Sequence, residues 1–318
     1  MDRLTRPDGP GRLVDIGRSR LYLYASGEGE GPTVVLESGS TLPAVLWEPV
    51  QTDVSRFARV VSYDRAGYGW SDPARRDRSW PRVVDDLHAL LQRAELPGPY
   101  ILVGHSLGGL YARLFAARYP SEVAGMVLVD ALEEGLRRNL PPSHHRVDWW
   151  SRRLLLLLSA LGIPRWALRR RPGILAGGHN AWLGHFPPER QRALFAAMYT
   201  PKLALAALRE WIELDQLEAA ARQAGSLGDL PLVVLSRTRP ELDGWGYSDA
   251  TKAAIWRALQ AAQAALVRLS SRASQVAVPD VGHMIYLERP GVVVAAIREV
   301  MDAVAAGKPE AGATPGNH

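Results

Sequence analysis

Two periodicities alternate along this chain. RLYLYASG (20–27) and PTVVLESG (32–39) are runs of β-branched, aromatic and aliphatic residues joined by the glycine-dense EGEG, a pattern that predicts a β-hairpin. ARVVSYD (58–64) predicts the next strand. In WPRVVDDLHALLQRAEL (80–96) the spacing changes: Val83, Val84, Leu87, Leu90 and Leu91 recur as on one face of an amphipathic helix. YILVG (100–104) is apolar throughout, as a strand covered on both faces should be. A helical segment over 107–119 and a second buried strand, GMVLVDA (125–131), follow. The alternation resumes late with LPLVVLS (230–236), the helix AIWRALQAAQAALVRLS (254–270), SQVAVPDVGH (274–283) and a final helix over 290–305. Strand and helix in turn predict an α/β protein, a mostly parallel sheet with helices on both faces.

Between these halves the strand signal stops. Residues 133–229 read as helical and carry Trp149, Trp150, Trp166, Trp182 and Trp211, so they predict an inserted helical cap on a core made of 1–132 and 230–307. The polar tail 308–318, with its Gly and Pro, predicts disorder.

Composition narrows the function classes. At 318 residues and 47% hydrophobic residues the chain can bury a substantial core, and the absence of cysteine excludes disulfides, thiolate nucleophiles and thiolate metal sites. The net charge of +5 is local: 135–229 hold 14 Arg and Lys against 7 Asp and Glu. That segment shows no zinc-finger spacing, RRM-like strand or recognition-helix pattern, so nucleic acid is not an expected partner. The first thirty residues lack an apolar signal region, and a cytoplasmic location is expected. RRLLLLLSALGIPRWALRRR (152–171) is interrupted by Gly162 and Pro164 and is too short to span a bilayer, which leaves weak lipid-surface contact through the cap.

The chemistry centres on YILVGHSLGGLYARLFAARYP (100–120). Here Gly104-His105-Ser106-Leu107-Gly108 lies where a buried strand must turn sharply into a helix. The turn projects Ser106 from the carboxyl edge of the sheet, and the small flanking residues prevent a clash. A serine hydroxyl needs a base. His283 sits in a loop after a late strand, whereas His88 lies in a helix, His105 inside the turn, His144, His145, His179 and His185 in the cap, and His318 in the tail. The carboxylate that orients the base is Asp130, at the end of the strand after the Ser106 helix, or else Asp243 or Glu241, in the loop after LPLVVLS. Asp280, three residues from His283, reads as a loop or capping residue. Two backbone donors, the N–H groups of Leu107 and Ser40, would form the oxyanion hole, each worth roughly 3 kcal/mol.

These stretches resemble the α/β-hydrolase superfamily, in its capped branch of esterases, lipases, C–C bond hydrolases, epoxide hydrolases, dehalogenases and cofactor-free haloperoxidases. The resemblance is carried by VVLESGS, VVSYDRAGYGWSD, the Ser106 turn, GMVLVDA and VPDVGHMIYLERPGVV, and covers 20–132 and 230–305. It implies the α/β-hydrolase fold, with Ser106 as nucleophile, His283 as base and Asp130 as the acid after the sixth strand. Ser38-Gly39 stands where relatives carry His-Gly, and the usual acid after the seventh strand is missing. A serine in place of the aspartate nucleophile disfavours epoxide hydrolysis and dehalogenation. The expected activity is hydrolysis of small or medium apolar carboxylic esters, with the ester as partner and without metal or organic cofactor. The alternatives are lactone, amide or C–C cleavage, perhydrolysis, or ligand binding by a triad without turnover.

Overall fold

A computed structural model of the chain describes residues 11–74, 78–163, 197–243 and 245–307, together with Trp166, Gly184, Phe186, Pro187, Gln191 and Leu194; within the helix at 142–160, the side chains of 145–149, 151–152 and 155–156 are not described. The tail 308–318, Trp182, His179, His185 and the side chains of Trp149 and His145 lie outside the described residues.

The strands are β1 (Arg12–Asp15), β2 (Arg20–Ser26), β3 (Thr33–Glu37), β4 (Val60–Tyr63), β5 (Tyr100–His105), β6 (Val123–Val129), β7 (Leu232–Arg237) and β8 (Ala273–Val278). They form one sheet in the order β1-β2-β4-β3-β5-β6-β7-β8, in which β1–β2 and β2–β4 are antiparallel and every later pairing is parallel. The hairpin expected between 20–27 and 32–39 does not form, because β4 lies between β2 and β3. The hairpin is β1–β2 instead, and Gly17, at φ 88°, supplies its turn. The reason is competition: Leu23 to Ser26 pair with Val60 to Tyr63, which frees β3 to sit beside the apolar β5.

Among the described residues the α-helices are α1 (Glu48–Val54), α2 (Trp80–Arg93), α3 (Leu107–Arg118), α4 (Leu136–Asn139), α5 (Pro142–Ala160), α6 (Pro201–Ile212), α7 (Leu214–Ala224), α8 (Asp249–Val267), α9 (Ile285–Glu288) and α10 (Pro290–Ala306). Strand alternation divides each apolar run between two layers. Val35 and Leu102 face the layer of α2 and α3, whereas Val34, Leu36, Ile101 and Val103 face α1 and α10. Continuous burial of β3 and β5, and of β6 from Gly125 onward, follows from that double cover.

The described part of the insertion between β6 and β7 holds α4 to α7. Its last helix departs from the expected cap boundary at 229: Leu217 and Ala221 of α7 are buried in the α2/α3 core, so α7 serves as the crossover helix onto β7. The parallel β6–β7 pair requires such a cover, and the apolar stripe of α7 provides it. By contrast α6 packs on Tyr68 through Leu203 and Ala206. No helix among the described residues is long and apolar enough to cross a membrane.

Candidate active site

Ser106 occupies the junction of β5 and α3 at φ 52°, ψ −124°, a conformation that costs a non-glycine residue about 1–3 kcal/mol. Surrounding hydrogen bonds hold it there. The Ser106 N–H donates to the Val129 carbonyl at 3.2 Å, and the Ser106 carbonyl accepts from Gly109 N–H at 3.0 Å and Leu132 N–H at 2.9 Å. The glycines are required by space. A Cβ on Gly104 would stand 2.7 Å from Gly109 Cα, and one on Gly108 would stand 2.5 Å from the Glu37 carbonyl oxygen. Since backbone rather than a mobile side chain must give way, Gly108→Ala is expected to destabilise the protein by about 1–3 kcal/mol, read as a lower urea midpoint. An unchanged midpoint would refute this packing requirement.

Asp130 directly follows β6 at φ 41° and is buried, with its N–H donating to the Leu235 carbonyl at 2.7 Å. Its Oδ2 lies 2.6 Å from His283 Nδ1. Burial alone would raise the Asp130 pKa, but the Arg237 guanidinium, with Nε 3.3 Å away, and the His283 hydrogen bond outweigh it, so the carboxyl sits below its usual range. An acceptor at Nδ1 selects the tautomer that carries its proton there. Nε2 is then the nitrogen left to take a proton from a hydroxyl.

The alternative acids go elsewhere. Glu241, at φ 49°, accepts the backbone N–H of His283 through Oε2 at 2.7 Å and so braces the loop rather than the ring. Asp243 is exposed and pairs with Lys252 at 2.8 Å. Asp280 shapes a turn, its N–H donating to Thr238 Oγ1 at 2.9 Å and its carbonyl accepting from Arg239 Nη1 at 2.9 Å. The physical reason is reach: β6 and β7 are adjacent, so Asp130 meets the β8–α9 loop directly, while Arg237 fills the end of β7.

Of the expected oxyanion donors, Leu107 is the first residue of α3, where helix N–H groups have no partner within the helix. Ser40 follows Gly39, and Gly39 is so close to Ser106 that a Cβ on it would stand 3.2 Å from Ser106 Cβ.

Several residues of the site are not evident from the sequence pattern. His105 is fully buried, its ring centroid 4.5 Å from that of His283, with Nε2 3.0 Å from the His283 carbonyl oxygen. Burial, reinforced by neighbouring His283, pushes its pKa well below the ordinary value, so it is neutral and donates from Nε2 to that carbonyl. Arg237 and Arg65 belong with it. The signal for each is a cation at the end of an apolar strand, a costly placement that implies a buried carboxylate partner.

This sheet, with a strained serine at a strand–helix turn and an Asp–His pair at the next strand ends, defines an α/β-hydrolase architecture. The model of the Alpha/beta hydrolase family matches residues 34–297, and the chain belongs to that family. Among curated relatives it is 41% identical over 188 residues to an uncharacterized protein of Schizosaccharomyces pombe, a match spanning 49% of this chain and 34% of that protein. It is 34% identical over 119 residues to 2-(acetamidomethylene)succinate hydrolase of Mesorhizobium japonicum, across 37% of this chain and 42% of the relative. Against 2-hydroxy-6-oxo-2,4-heptadienoate hydrolase of Pseudomonas putida the identity is 29% over 199 residues, 57% of this chain and 69% of the relative. The chain thus spans little more than a third of the first of these relatives. Among solved structures, a putative lipase from Acinetobacter baumannii superposes with a TM-score of 0.64 at 21% identity, covering 94% of this chain and 92% of the lipase. An esterase from Thermogutta terrifontis gives 0.63 at 21% identity, covering 93% and 99%. At such identities the two structures establish the shared fold alone.

Proposed function

We propose that the chain is a serine hydrolase that cleaves carboxylic esters of small or medium apolar substrates through an acyl-enzyme on Ser106. The observation that carries this reading is the 2.6 Å Asp130–His283 contact beside a serine held at φ 52°. Ser106 Oγ attacks the ester carbonyl while His283 Nε2 takes its proton, and Asp130 stabilises the imidazolium. The N–H groups of Leu107 and Ser40 receive the developing oxyanion. His283 then protonates the leaving alkoxide as the tetrahedral intermediate collapses. Water, deprotonated by the same nitrogen, cleaves the acyl-enzyme and restores the serine.

An apolar acyl group suits the surroundings. Phe186, Leu194, Met198 and Tyr199 of the insertion join the cluster that contains Met284, next to His283, and packs on Leu42, next to the oxyanion loop. Initial rates on p-nitrophenyl esters from acetate to palmitate test the proposal, with a maximum expected at short or medium chains. Absence of turnover along the whole series would reject it. A second reading, amide or C–C bond hydrolysis on the same triad, is favoured by the reactions named for the Mesorhizobium and Pseudomonas relatives. Faster turnover of anilides or vinylogous diketones than of esters would select it.

A cytoplasmic location and lipid-surface contact through the insertion belong to the same proposal. On α5 and the turn after it, Trp150, Leu154, Leu157 and Leu161 are exposed at spacings of three and four residues, which align them on one helix face. Co-sedimentation with anionic phosphatidylglycerol vesicles is expected, and Leu157→Glu should abolish it. If the vesicles neither bind the wild type nor raise its rate, the surface role is wrong.

A further inference from the structure

We infer that Glu210, on insertion helix α6, is a positioning residue that holds the oxyanion loop in register with Ser106. This rests on the acyl-transfer reading above. Glu210 is wholly buried, yet it lies in a segment remote in sequence from every residue of the triad. Its Oε1 accepts from Arg65 Nε at 3.0 Å and Arg78 Nη2 at 2.7 Å, and its Oε2 accepts from the Tyr68 hydroxyl and faces Ser40 Oγ at 3.4 Å.

Of these partners Arg65 and Tyr68 reach the loop 38–41 and Ser40 belongs to it, while Arg78 donates to the Ala66 carbonyl. Arg65 donates from Nη1 to the Ser38 carbonyl at 2.6 Å and from Nη2 to the Gly39 carbonyl at 2.9 Å, and also pairs with Glu37. Tyr68 Oη accepts the Thr41 N–H at 3.0 Å. The loop therefore meets Glu210 at one remove through Ser38, Gly39 and Thr41, and directly through the Ser40 hydroxyl. Its backbone needs holding, because Thr41 sits at φ 64°.

The consequence for catalysis follows from peptide geometry. In a trans peptide the N–H points opposite to the preceding C=O. With the Gly39 carbonyl turned toward the Arg65 guanidinium, the Ser40 N–H is turned away from it. Arg65 can hold that pose only if its own guanidinium is held. Glu37 contacts one end and Glu210 the Nε edge, so removing either lets the fork pivot. The two carboxylates are shifted in opposite directions. Burial pushes the Glu37 pKa up against the pull of Arg65, while at Glu210 burial is outweighed by Arg65 and Arg78, which hold it below the usual range. Glu210 is thus the carboxylate whose ionised form the two arginines favour, supplied by the insertion rather than by the sheet.

The test compares wild type, Glu210→Gln and Tyr68→Phe on p-nitrophenyl butyrate and on phenylboronic acid. In the boronate adduct Ser106 Oγ adds to boron, and a boron hydroxyl takes the oxyanion position. Glu210→Gln is expected to lower kcat by roughly 10–100-fold with KM within about threefold, and to weaken boronate inhibition by a similar factor. Tyr68→Phe keeps every charge and removes only the relay to Thr41, so it should show the same split at roughly 3–10-fold. It also decides the matter if Glu210→Gln does not fold. Active sites are counted with a fluorophosphonate probe, since a purely structural role lowers that count while leaving kcat per site and boronate affinity unchanged. That result in the folded variants overturns the inference while esterase activity stands. A wild type that neither turns over the ester nor binds the boronate overturns both this inference and the acyl-transfer reading.

Discussion

Replacing Ser106 by alanine should reduce p-nitrophenyl ester hydrolysis by about 10⁴–10⁶-fold in kcat, to the residual rate given by substrate binding and the oxyanion donors. The size of the effect follows from the role proposed for Ser106 as the nucleophile. The chain has no cysteine to substitute, and no other hydroxyl sits at the turn where β5 meets α3. The backbone at 106 is held by hydrogen bonds of its own N–H and carbonyl, which alanine retains, so the variant should fold with a thermal midpoint close to wild type. Initial rates on p-nitrophenyl butyrate, with the two proteins purified identically, provide the check. A variant that keeps a tenth of the wild-type rate would remove Ser106 from the mechanism.

Asp130→Asn should cost about 10⁴-fold in kcat, whereas Asp243→Asn should leave the rate within about twofold of wild type. An asparagine amide can turn its N–H₂ toward His283 Nδ1, which stabilises the tautomer protonated at Nε2. That tautomer cannot accept the Ser106 proton. Asp243 has no such access, since its partner is Lys252 at the surface. The same substitution carries a pH signature. The Asp130 pKa is depressed in the folded state, so its ionised form contributes stability that is fully present above the ordinary carboxylate value of about 4 and is lost as the pH falls through the folded value. The gap in unfolding midpoint between wild type and Asp130→Asn should therefore be widest near neutrality and close at acid pH. If Asp243→Asn and not Asp130→Asn stops turnover, the assignment of the acid is reversed.

Parts of this site are legible in the sequence because they are local. A glycine two residues before Ser106 and another two after it, set between a β-rich run and a helical one, report a backbone turn that needs no distant partner to be recognised. The position of His283 in a loop after a late strand is likewise a matter of chain order. The carboxylate is less legible, since three candidates lie near strand ends, and only distance separates a side chain on the ring from one on the backbone N–H. Glu241 shows the difficulty: it is in contact with His283, at 2.7 Å, but at the main chain. The expected hairpin fails for a related reason, because EGEG links β2 and β3 in sequence while Leu23–Ser26 find better partners in Val60–Tyr63.

By itself the sequence determined the α/β class, and it carries the expectation of an inserted helical segment and of a turn at Ser106, since strand burial, helix amphipathicity and glycine-dependent turns are periodicities and spacings of neighbouring residues. Only the tertiary structure decided that β4 separates β2 from β3, that α7 belongs to the core layer, that Asp130 meets the His283 ring and that Glu210 reaches Arg65. The last two contacts join residues 153 and 145 positions apart. No local pattern encodes such a pairing; it exists because the sheet order brings those strand ends and that helix together and because a buried charge must find its counter-ion wherever the fold places one.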